Sequence, residues 1–542
     1  MVSISASDLS WTTPDGRFVL KGLDLQLGRE RVGLVGRNGV GKTTLLQLLA
    51  GKRSGAGGSV TIDGRVCLMR QDVQVAVEAT IADLFGVRDA LAVLRRAELG
   101  TASVEELGEA DWTLEERMRQ AFAQVELDVD GSTLLRMLSG GQQTRARLAA
   151  AIFEQPDFIF LDEPTNNLDR EGRGALLRFV DQWTMGLVAA SHDRELLEKM
   201  DAIIELTTIG ASRYGGNWSQ YMARKAVELE AAEHDLADAQ KRRADTERKA
   251  QLANERKARR DAAGSRKAAR GDIPRILTGA RKNAAQASGG SGARLNEKLS
   301  VQAAEAVTAA QAKMEVLQRL SIALPPTGLH ADRRVLELLA VAAGYERERP
   351  LLEGLELTIV GPERVALAGR NGIGKSTVLK VVSGALTPLA GQVRVGTPTV
   401  MVDQQVSFLD PARSILANFR VLNPEANENM CRSALASFLF RADAALQTVG
   451  TLSGGQMLRA GLACRLGGPR PPQFLILDEP TNHLDIESVT AIEAALATYD
   501  GALLVVSHDG TFLRNISIQR IVDLDAITAH RRGLEDGLEK FR

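Results

Sequence analysis

The nine residues GRNGVGKTT (36–44) decide the fold of this chain. They follow the apolar run RVGLV (31–35) and precede a leucine-rich run, so the pattern predicts a strand, a tight loop and a helix. Glycines in the loop let backbone N–H groups converge on phosphate oxygens, and the helix N-terminus adds partial positive charge. Lys42 is expected to reach the β- and γ-phosphates, and the Thr43 hydroxyl to hold Mg²⁺.

The chain repeats this motif and three others in the same order. The second phosphate loop, GRNGIGKST, lies 333 residues after the first, and the other motifs recur after 314 to 316 residues. A nearly constant offset indicates duplication of a whole domain. The paired motifs are GRNGVGKTT (36–44) and GRNGIGKST (369–377), LSGGQ (138–142 and 452–456), FIFLDEPTNNLD (158–169) and FLILDEPTNHLD (474–485), and SHD (191–193 and 507–509).

We therefore predict two tandem α/β P-loop ATPase domains joined by an α-helical hairpin. The expected limits are 1–215 for the first domain, 216–328 for the linker and 329–542 for the second domain. Each loop is expected to bind a nucleotide, through Gly36, Arg37, Asn38, Gly39, Val40, Gly41, Lys42, Thr43 and Thr44 in the first domain and Gly369, Arg370, Asn371, Gly372, Ile373, Gly374, Lys375, Ser376 and Thr377 in the second.

Composition excludes several classes of protein. The chain has 542 residues, 44% hydrophobic and 25% charged, and a net charge of −1, which indicates a globular protein of two or three domains. The three cysteines are scattered, which argues against zinc or a disulfide framework and favours a reducing cytoplasm. We expect no signal peptide, and no stretch has the roughly 18–20 apolar residues of a membrane span.

Acidic residues follow the buried strand predicted in each repeat. Asp162 and Asp478 are expected to bind Mg²⁺ through water, and Glu163 and Glu479 to polarise the attacking water. His192 and His508 follow apolar runs and face the same cleft, so we interpret them as sensors of the γ-phosphate. Solvated acids at a strand end and structural histidines are the alternatives, but the repeated context favours the catalytic interpretation.

These motifs resemble those of ATP-binding-cassette (ABC) ATPases, over about four-fifths of the chain. Two cassettes, a charged helical linker and the sequence GDIPRILTGARKNAA (271–285) resemble the ABC-F family of translation factors, some of them antibiotic-resistance proteins. The resemblance implies a head-to-tail sandwich with two ATPs at the interface. One site would combine Lys42, Thr43, Gln71, Asp162, Glu163 and His192 with Ser453, Gly455 and Gln456; the other would combine Lys375, Ser376, Gln404, Asp478, Glu479 and His508 with Ser139, Gly141 and Gln142.

By the same analogy, aromatic residues upstream of each loop stack on adenine. Trp11 lies 25 residues before Gly36, and Tyr345 lies 24 before Gly369; either could instead be a core residue. Gln71 and Gln404 would be glutamines near the catalytic Mg²⁺, with Gln405 as a competitor of Gln404.

The first cassette departs from the family pattern at one residue, since Asn167 stands where the second has His483. This difference raises the question whether the two sites turn over equally. About 19 extra residues in the first cassette fall within Val87–Glu116, which we interpret as a longer surface helix pair rather than a contact arm.

The linker is predicted to be a helical hairpin with a basic tip. Trp218–Ala263 contains neither glycine nor proline and would be about 69 Å long as one helix, with Ala293–Leu324 returning. The predicted apolar seams are Leu229, Ala232, Leu236 and Ala239 on the outgoing helix, fading after Ala239, and Leu295, Leu299, Ala303, Ala306, Ala310, Met314 and Leu317 on the returning helix.

Acidic and basic residues are segregated along this linker. Lys241 to Lys282 contains 15 Lys or Arg against 5 Asp or Glu, whereas Val227–Gln240 carries only acidic charges. A solvated spacer is the ordinary explanation for a charge run, but the sorted sign and the apolar patch Ile273–Leu277 favour contact with nucleic acid, in particular the phosphates and shape of RNA.

Three functions fit these features. The first is an ATP-driven ribosome factor whose basic linker region, 241–290, reaches tRNA and rRNA near the peptidyl-transferase region, as the resemblance implies. The second is the ATPase subunit of a transporter with separate membrane chains, a role that leaves the basic hairpin unexplained. The third is a DNA-directed cassette ATPase. We expect a cytoplasmic monomer that uses ATP and Mg²⁺.

Overall fold

A computed structural model describes residues 2–16, 18–55, 57–69, 78–166, 168–208, 210–269, 298, 301, 302, 304, 307, 324–347, 349–403, 406–482 and 484–527. The chain divides into two compact units. One consists of Met1–Trp218 together with Leu320–Arg542, and the other of Ser219–Arg319.

The first half contains a six-stranded sheet in the order β5-β6-β7-β3-β8-β9, parallel except for β9, and an antiparallel sheet in the order β2-β1-β4. Strands β6 and β7 are buried along their whole length, as expected for parallel strands covered by helices. The strands are β1 (Ser3–Thr12), β2 (Phe18–Leu27), β3 (Arg31–Val35), β4 (Gly57–Asp63), β5 (Val66–Met69), β6 (Phe158–Asp162), β7 (Gly186–Ala190), β8 (Ala202–Thr207) and β9 (Gly210–Gly215).

The second half repeats this architecture. Its parallel sheet has the order β14-β15-β16-β12-β17, and its antiparallel sheet the order β11-β10-β13. The strands are β10 (Arg334–Ala343), β11 (Leu352–Val360), β12 (Arg364–Ala368), β13 (Ala390–Val395), β14 (Thr399–Val402), β15 (Phe474–Asp478), β16 (Ala502–Val506) and β17 (Arg520–Asp523). The predicted duplication of an α/β domain is therefore confirmed.

In each half a helix starts in or follows the phosphate loop, the LSGGQ motif, the acidic strand and the SHD motif. In the first half they are α1 (Lys42–Leu49), α2 (Ile81–Leu84), α3 (Arg88–Glu98), α4 (Val104–Glu109), α5 (Leu114–Gln124), α6 (Gly140–Phe153), α7 (Arg170–Gln182) and α8 (Arg194–Leu197). After the long helix α9 (Trp218–Ala269), the second half has α10 (Lys375–Val382), α11 (Ile415–Leu422), α12 (Glu428–Ser437), α13 (Gly454–Leu466), α14 (Ile486–Thr498) and α15 (Gly510–Asn515). The extra segment of the first half is helical, in α3, α4 and the start of α5.

The unit Ser219–Arg319 is built on α9. This helix has 52 residues, about 78 Å, and continues past Gly264, where the prediction ended it. The predicted seam is buried at Leu229, Ala232 and Ala239, and the described side chains from Lys241 to Lys249 are exposed except for that of Thr246. The seam therefore fades where it was predicted to fade.

The returning segment packs on α9 through Val307, which is 5% exposed and contacts Leu236 and Ala239. Val307 is one residue past the predicted seam position 306. The predicted seam residues from Leu295 to Leu317, and the tip patch Ile273–Leu277, lie outside the described residues. In the part of the chain that the structure describes, no helix is both long and apolar enough to cross a membrane.

Candidate nucleotide sites

The two phosphate loops join strands and helices as the sequence predicted. The first runs from Val35, at the end of β3, to Lys42, at the start of α1. Gly36 has a φ of 153°, and a Cβ there would lie 2.4 Å from the carbonyl oxygen of Leu206. Gly41 has a φ of 108°. Only glycine fits such close approach and such backbone angles, so the loop wraps tightly around the start of the helix.

Each loop lysine is buried and folds back over its own loop. Lys42 Nζ donates to the Gly36 carbonyl at 2.8 Å, and Lys375 Nζ to the Gly369 carbonyl at 2.7 Å. Burial lowers the pKa of both ammonium groups, and nearby carboxylates oppose the shift. A buried ammonium in a glycine-rich loop favours an anion beside it, as the phosphates of a nucleotide would provide.

A hydroxyl and a carboxylate stand next to each other at the start of each loop helix. Asp162 accepts a hydrogen bond from Thr43, and Asp478 accepts one from Ser376. Burial raises the pKa of both carboxyls, while the hydroxyl bond opposes the rise. Hard oxygen donors of this kind suit Mg²⁺.

The surroundings of these oxygens fit a cation that is bound partly by the protein and partly by a bound nucleotide or water. Among the described residues none donates a hydrogen bond to the buried Oδ1 of Asp478. The described part of the chain also contains no cluster of three or more His, Cys, Asp or Glu side chains that could bind a metal ion without other ligands. A Mg²⁺ ion at this position would therefore need phosphate or water oxygens to complete its shell.

The glutamate after each acidic strand sits on a strained turn. Glu163 and Glu479 have φ values of 47° and 46°, in the left-handed region that side chains other than glycine rarely adopt. Each backbone N–H donates to the neighbouring strand, to Ala190 at 2.8 Å and to Val506 at 2.9 Å. The strand pairing thus holds a turn that aims both carboxyl groups into the cleft.

A histidine faces each of these glutamates. His192 Nε2 lies 3.2 Å from Glu163 Oε1, and His508 Nε2 lies 3.3 Å from Glu479 Oε1. Burial, with the nearby lysine adding to it, lowers the pKa of His192 to about 3 and that of His508 to about 4. Burial raises the pKa of Glu163 to about 8 and that of Glu479 to about 7. Near neutral pH both imidazoles are therefore uncharged.

The first site is tied to the opposite half by contacts that the sequence did not predict, and one of the residues involved, Glu487, was not among the predicted site residues. Arg37 binds both carboxylate oxygens of Glu487, at 2.5 and 2.7 Å. The backbone N–H of Asn38 donates to Asp485 Oδ2 at 3.1 Å. His192 Nε2 lies 2.8 Å from Lys42 Nζ and 3.2 Å from the Asn38 side chain, so the histidine and the loop form one cluster.

The second site is a cavity of about 420 Å³ that both halves line. The second half contributes its phosphate loop together with Glu479 and His508, and the first half contributes Gly140 and Leu168. Gly140 belongs to the LSGGQ motif, so the structure brings the first signature to the second loop. The corresponding loop arginine, Arg370, binds Asp525 of its own half at 3.2 Å, whereas Arg37 crosses the interface.

Both LSGGQ motifs form capping boxes at helix starts. Ser139 Oγ accepts from the N–H of Gln142 at 3.2 Å, and the Gln142 side chain accepts from the N–H of Ser139. Ser453 and Gln456 repeat this arrangement at the start of α13. Gly141 and Gly455 are buried in the first turns of these helices. The serines and glutamines thus order two helix N-termini, which favour anions.

The two aromatic residues do not occupy equivalent positions. Trp11 pairs with Leu20 across β1 and β2, and the same register in the second half pairs Ala343 with Leu352. Tyr345 therefore lies two residues farther along. Its hydroxyl accepts a hydrogen bond from Lys380 on α10 at 3.3 Å, next to the second loop. The ring of Trp11 is half-buried under the guanidinium of Arg53, 4.7 Å from its centre.

Several predicted site residues lie outside the described part of the chain. They are Gln71, Gln404 and its competitor Gln405, and the pair Asn167 and His483.

Sequence comparison identifies relatives along almost the whole chain. A family model described as ABC transporter matches residues 20–166 and 352–482. The tylosin resistance ATP-binding protein TlrC of Streptomyces fradiae is 31% identical over 91% of this chain and 92% of its own length. ABC transporter F family member 5 of Arabidopsis thaliana is 28% identical over 94% of this chain and 73% of its own.

Among solved structures, RNase-L Inhibitor superposes with a TM-score of 0.59 at 19% identity, covering 95% of this chain and 87% of that one. At this identity the likeness concerns the fold alone.

Proposed function

The chain belongs to the ABC-F family of ATP-binding-cassette proteins, and we propose that it is an ATPase that acts on the ribosome. Its two cassettes bind ATP. In the proposal, ATP closes the cassettes at 1–215 and 329–542, and the linker at 216–328 contacts tRNA or rRNA near the peptidyl-transferase region. The protein would work in the cytoplasm as a monomer, in translation regulation or in protection of the ribosome from an antibiotic.

Within each site we assign the glutamate as the base that polarises the attacking water. The side chains of Glu163 and Glu479 are 15% and 12% exposed and lie 3.2 and 3.3 Å from a neutral histidine. A neutral imidazole can accept one proton and donate another, so it can orient both the carboxyl group and a γ-phosphate oxygen. Lys42 and Lys375 would neutralise the phosphates.

We assign the Mg²⁺ position to Thr43 with Asp162 and to Ser376 with Asp478, and Gln71 and Gln404 remain proposed neighbours of the metal. A bound Mg²⁺ ion would supply positive charge that stabilises the leaving phosphates. Burial raises the pKa of Glu163 to about 8, and the positive charge of Lys42 opposes that rise, so Lys42 favours the ionised form of the proposed base.

In the proposal, the two cassettes close because a nucleotide bound at each site would contact both of them. The second cavity is lined by residues of both halves, including Gly140 and Leu168 opposite Lys375. A nucleotide at that position would contact both cassettes and hold them together, and hydrolysis would weaken the link. Ser139, Gly141 and Gln142 would then bind the second nucleotide, and Ser453, Gly455 and Gln456 the first. Tyr345 would stack on the adenine of the second site and Trp11 on that of the first.

The observation that carries the ribosome proposal is the charge sorting on α9. The helix is long, it is continuous over 52 residues, and its basic residues from Lys241 to Lys249 are exposed. The acidic residues lie nearer its start, where the apolar seam is buried. A long continuous helix with an exposed basic stretch fits contact with RNA phosphates. The similarity to an antibiotic-resistance protein, TlrC, supports the same interpretation.

The test is ATP-dependent sedimentation with ribosomes. The double variant Glu163→Gln, Glu479→Gln should bind ATP without hydrolysing it, and it should sediment with ribosomes only when ATP is present. A double variant that stays in the supernatant with ATP present contradicts the proposal.

The linker contribution has its own variant and control. Replacing Lys241, Arg242, Arg248 and Lys249 by Gln should weaken sedimentation and reduce its dependence on salt, because fewer counterions are released. Replacing the acidic residues Glu230, Glu233 and Asp238 of the same helix by Gln serves as the matched control and should not weaken it. ATP hydrolysis should be unchanged in both sets.

A further inference from the structure

Arg173, on the first turn of α7, joins the two halves at the second histidine. Its side chain is 10% exposed. Nη2 donates to Asp193 Oδ1 at 2.7 Å, and Glu195 Oε2 lies 3.4 Å away, both in the same half. Nη1 donates to the backbone carbonyl oxygen of His508, in the opposite half, at 2.6 Å. The guanidinium therefore reaches across the interface from a fixed position.

The pseudo-symmetric position has no such group. The offset of 316 residues between the acidic motifs places Val489 where the first half has Arg173. A valine side chain cannot donate a hydrogen bond to the carbonyl of His192. The aspartate equivalent to Asp193 is Asp509, which caps its own helix by accepting from the Phe512 N–H at 2.9 Å. The helix that follows Asp509 thus starts with the same aspartate cap although Val489 replaces the arginine, and the charge of Arg173 from the first half also interacts with Asp509. The hydrogen bond from Arg173 to the His508 carbonyl is therefore the distinctive part of the arrangement.

We propose that Arg173 is a positioning residue that holds His508 in its working place only when the two halves are together. The inference rests on the proposed role of His508 at the second site. Hydrolysis there then depends on closure through a bond that Val489, at the equivalent position, cannot make to the first site. Arginine suits this task because its planar fork binds two acceptors at once, and two carboxylates keep it oriented.

The bond acts on the main chain of a short turn. Ser507 Oγ accepts from the Asp509 N–H at 3.1 Å, so the turn around His508 is held from within by one side chain. The carbonyl bond from Arg173 adds a restraint from outside. Since the imidazole lies 3.3 Å from Glu479, small movements of this turn change its distance to the proposed base.

A second buried ion pair provides the matched control. Arg194 Nη1 binds Glu493 Oε1 at 2.8 Å across the interface, with side chains 11% and 9% exposed. Arg194 also donates to the hydroxyl of Thr490. These contacts join the halves through side chains of α8 and α14. If Arg173 only held the halves together, replacing Arg194 would have the same consequences.

The test isolates each site with a glutamine substitution. With Glu163→Gln, the second site alone can hydrolyse ATP, and there Arg173→Val should lower kcat about tenfold with KM changed less than about twofold. With Glu479→Gln, the first site alone is active, and Arg173→Val should change kcat less than about threefold, since Asp193 keeps its backbone donors Glu195 and Leu196. Arg194→Val should affect both backgrounds equally.

Two further measurements keep the inference falsifiable. Arg173→Lys retains the charge but lacks the fork, so it should give an intermediate kcat in the Glu163→Gln background. In the Glu163→Gln, Glu479→Gln chain with ATP, Arg173→Val should raise amide hydrogen exchange in residues 507–515. Equal losses in the two single-site backgrounds, or unchanged exchange at 507–515, overturn the inference. If the single-site variants hydrolyse no ATP even with Arg173 in place, the proposed function is contradicted instead. The hydrogen-exchange measurement then still tests whether Arg173 restrains the turn at His508.

Discussion

Glu163→Gln should stabilise the nucleotide-free protein, and the gain should grow with pH. Burial raises the pKa of this carboxyl from 4.5 to about 8, and the nearby charge of Lys42 only partly opposes the rise. Between these two values the folded protein holds a proton that the unfolded chain has lost. The stability contributed by this residue therefore falls as pH rises through the window and becomes constant above about 8. Glutamine carries no charge and removes that pH-dependent cost.

The magnitude follows from the shift. Each unit of pKa difference corresponds to about 1.4 kcal/mol, so from pH 5.5 to pH 8 the cost of ionising Glu163 grows by about 3 kcal/mol. The side chain is 15% exposed, so solvent screening reduces this figure only modestly. We expect Glu163→Gln to gain a few kcal/mol more at pH 8 than at pH 5.5.

Urea unfolding followed by tryptophan fluorescence is a suitable assay. Three of the four tryptophans, Trp11, Trp112 and Trp183, lie in the first cassette, and Trp218 begins α9, so most of the signal reports on the cassette that contains Glu163. Glu115→Gln on α5 is the control, because that side chain is exposed and should give the same result at both pH values. An equal effect of Glu163→Gln at pH 5.5 and pH 8 would refute the reasoning.

Three further outcomes are expected. Glu493→Gln leaves the buried Arg194 without its carboxylate and should weaken ATP-dependent closure by about 3 kcal/mol, measured from the ATP concentration at half-closure by energy transfer between labelled cassettes; an unchanged midpoint contradicts this. Ser453→Ala removes a helix cap and should lower the free energy of unfolding by about 1 kcal/mol, whereas Ser453→Thr, which keeps the hydroxyl, should lose less. Lys42→Ala should abolish nucleotide binding at the first site and halve the stoichiometry in calorimetric titration; two retained sites would refute its role.

Much of the fold was predictable because its signals are local. Strand, loop and helix around Lys42 follow from consecutive apolar and glycine residues, and the repeat of four motifs predicts the second half. The burial of Leu229, Ala232 and Ala239 followed from helical spacing on α9. In contrast, α9 continues past Gly264, because one glycine costs a helix only about 1 kcal/mol and does not by itself end it.

The aromatic residues illustrate a second limit on predicting spatial positions from sequence. Counting back from each loop puts Trp11 and Tyr345 at nearly the same distance, 25 and 24 residues. The antiparallel strands of the two halves match at an offset of 332 residues, as Leu27 and Ile359 show, but the strands that lead into the loops start 333 residues apart, at Arg31 and Arg364. The second half therefore has one more residue between these elements, and equal distances from the loop do not mean equal positions in space. The strand pairing reveals the difference: Trp11 pairs with Leu20, and at the equivalent position of the second half Ala343, not Tyr345, pairs with Leu352.

The sequence by itself determined which lysine, hydroxyl, carboxylate and histidine gather at the carboxyl ends of parallel strands within each half. The tertiary structure decided which groups cross between the halves. Arg37 meets Glu487 and Arg173 meets His508 although 450 and 335 residues separate them. The physical reason is that such pairs depend on how two folded surfaces pack. Two differences between the halves can be found by aligning the repeats: Arg173 corresponds to Val489, and Glu493 corresponds to Leu177. The partners of Arg173 and Glu493 across the interface follow only from how the halves pack.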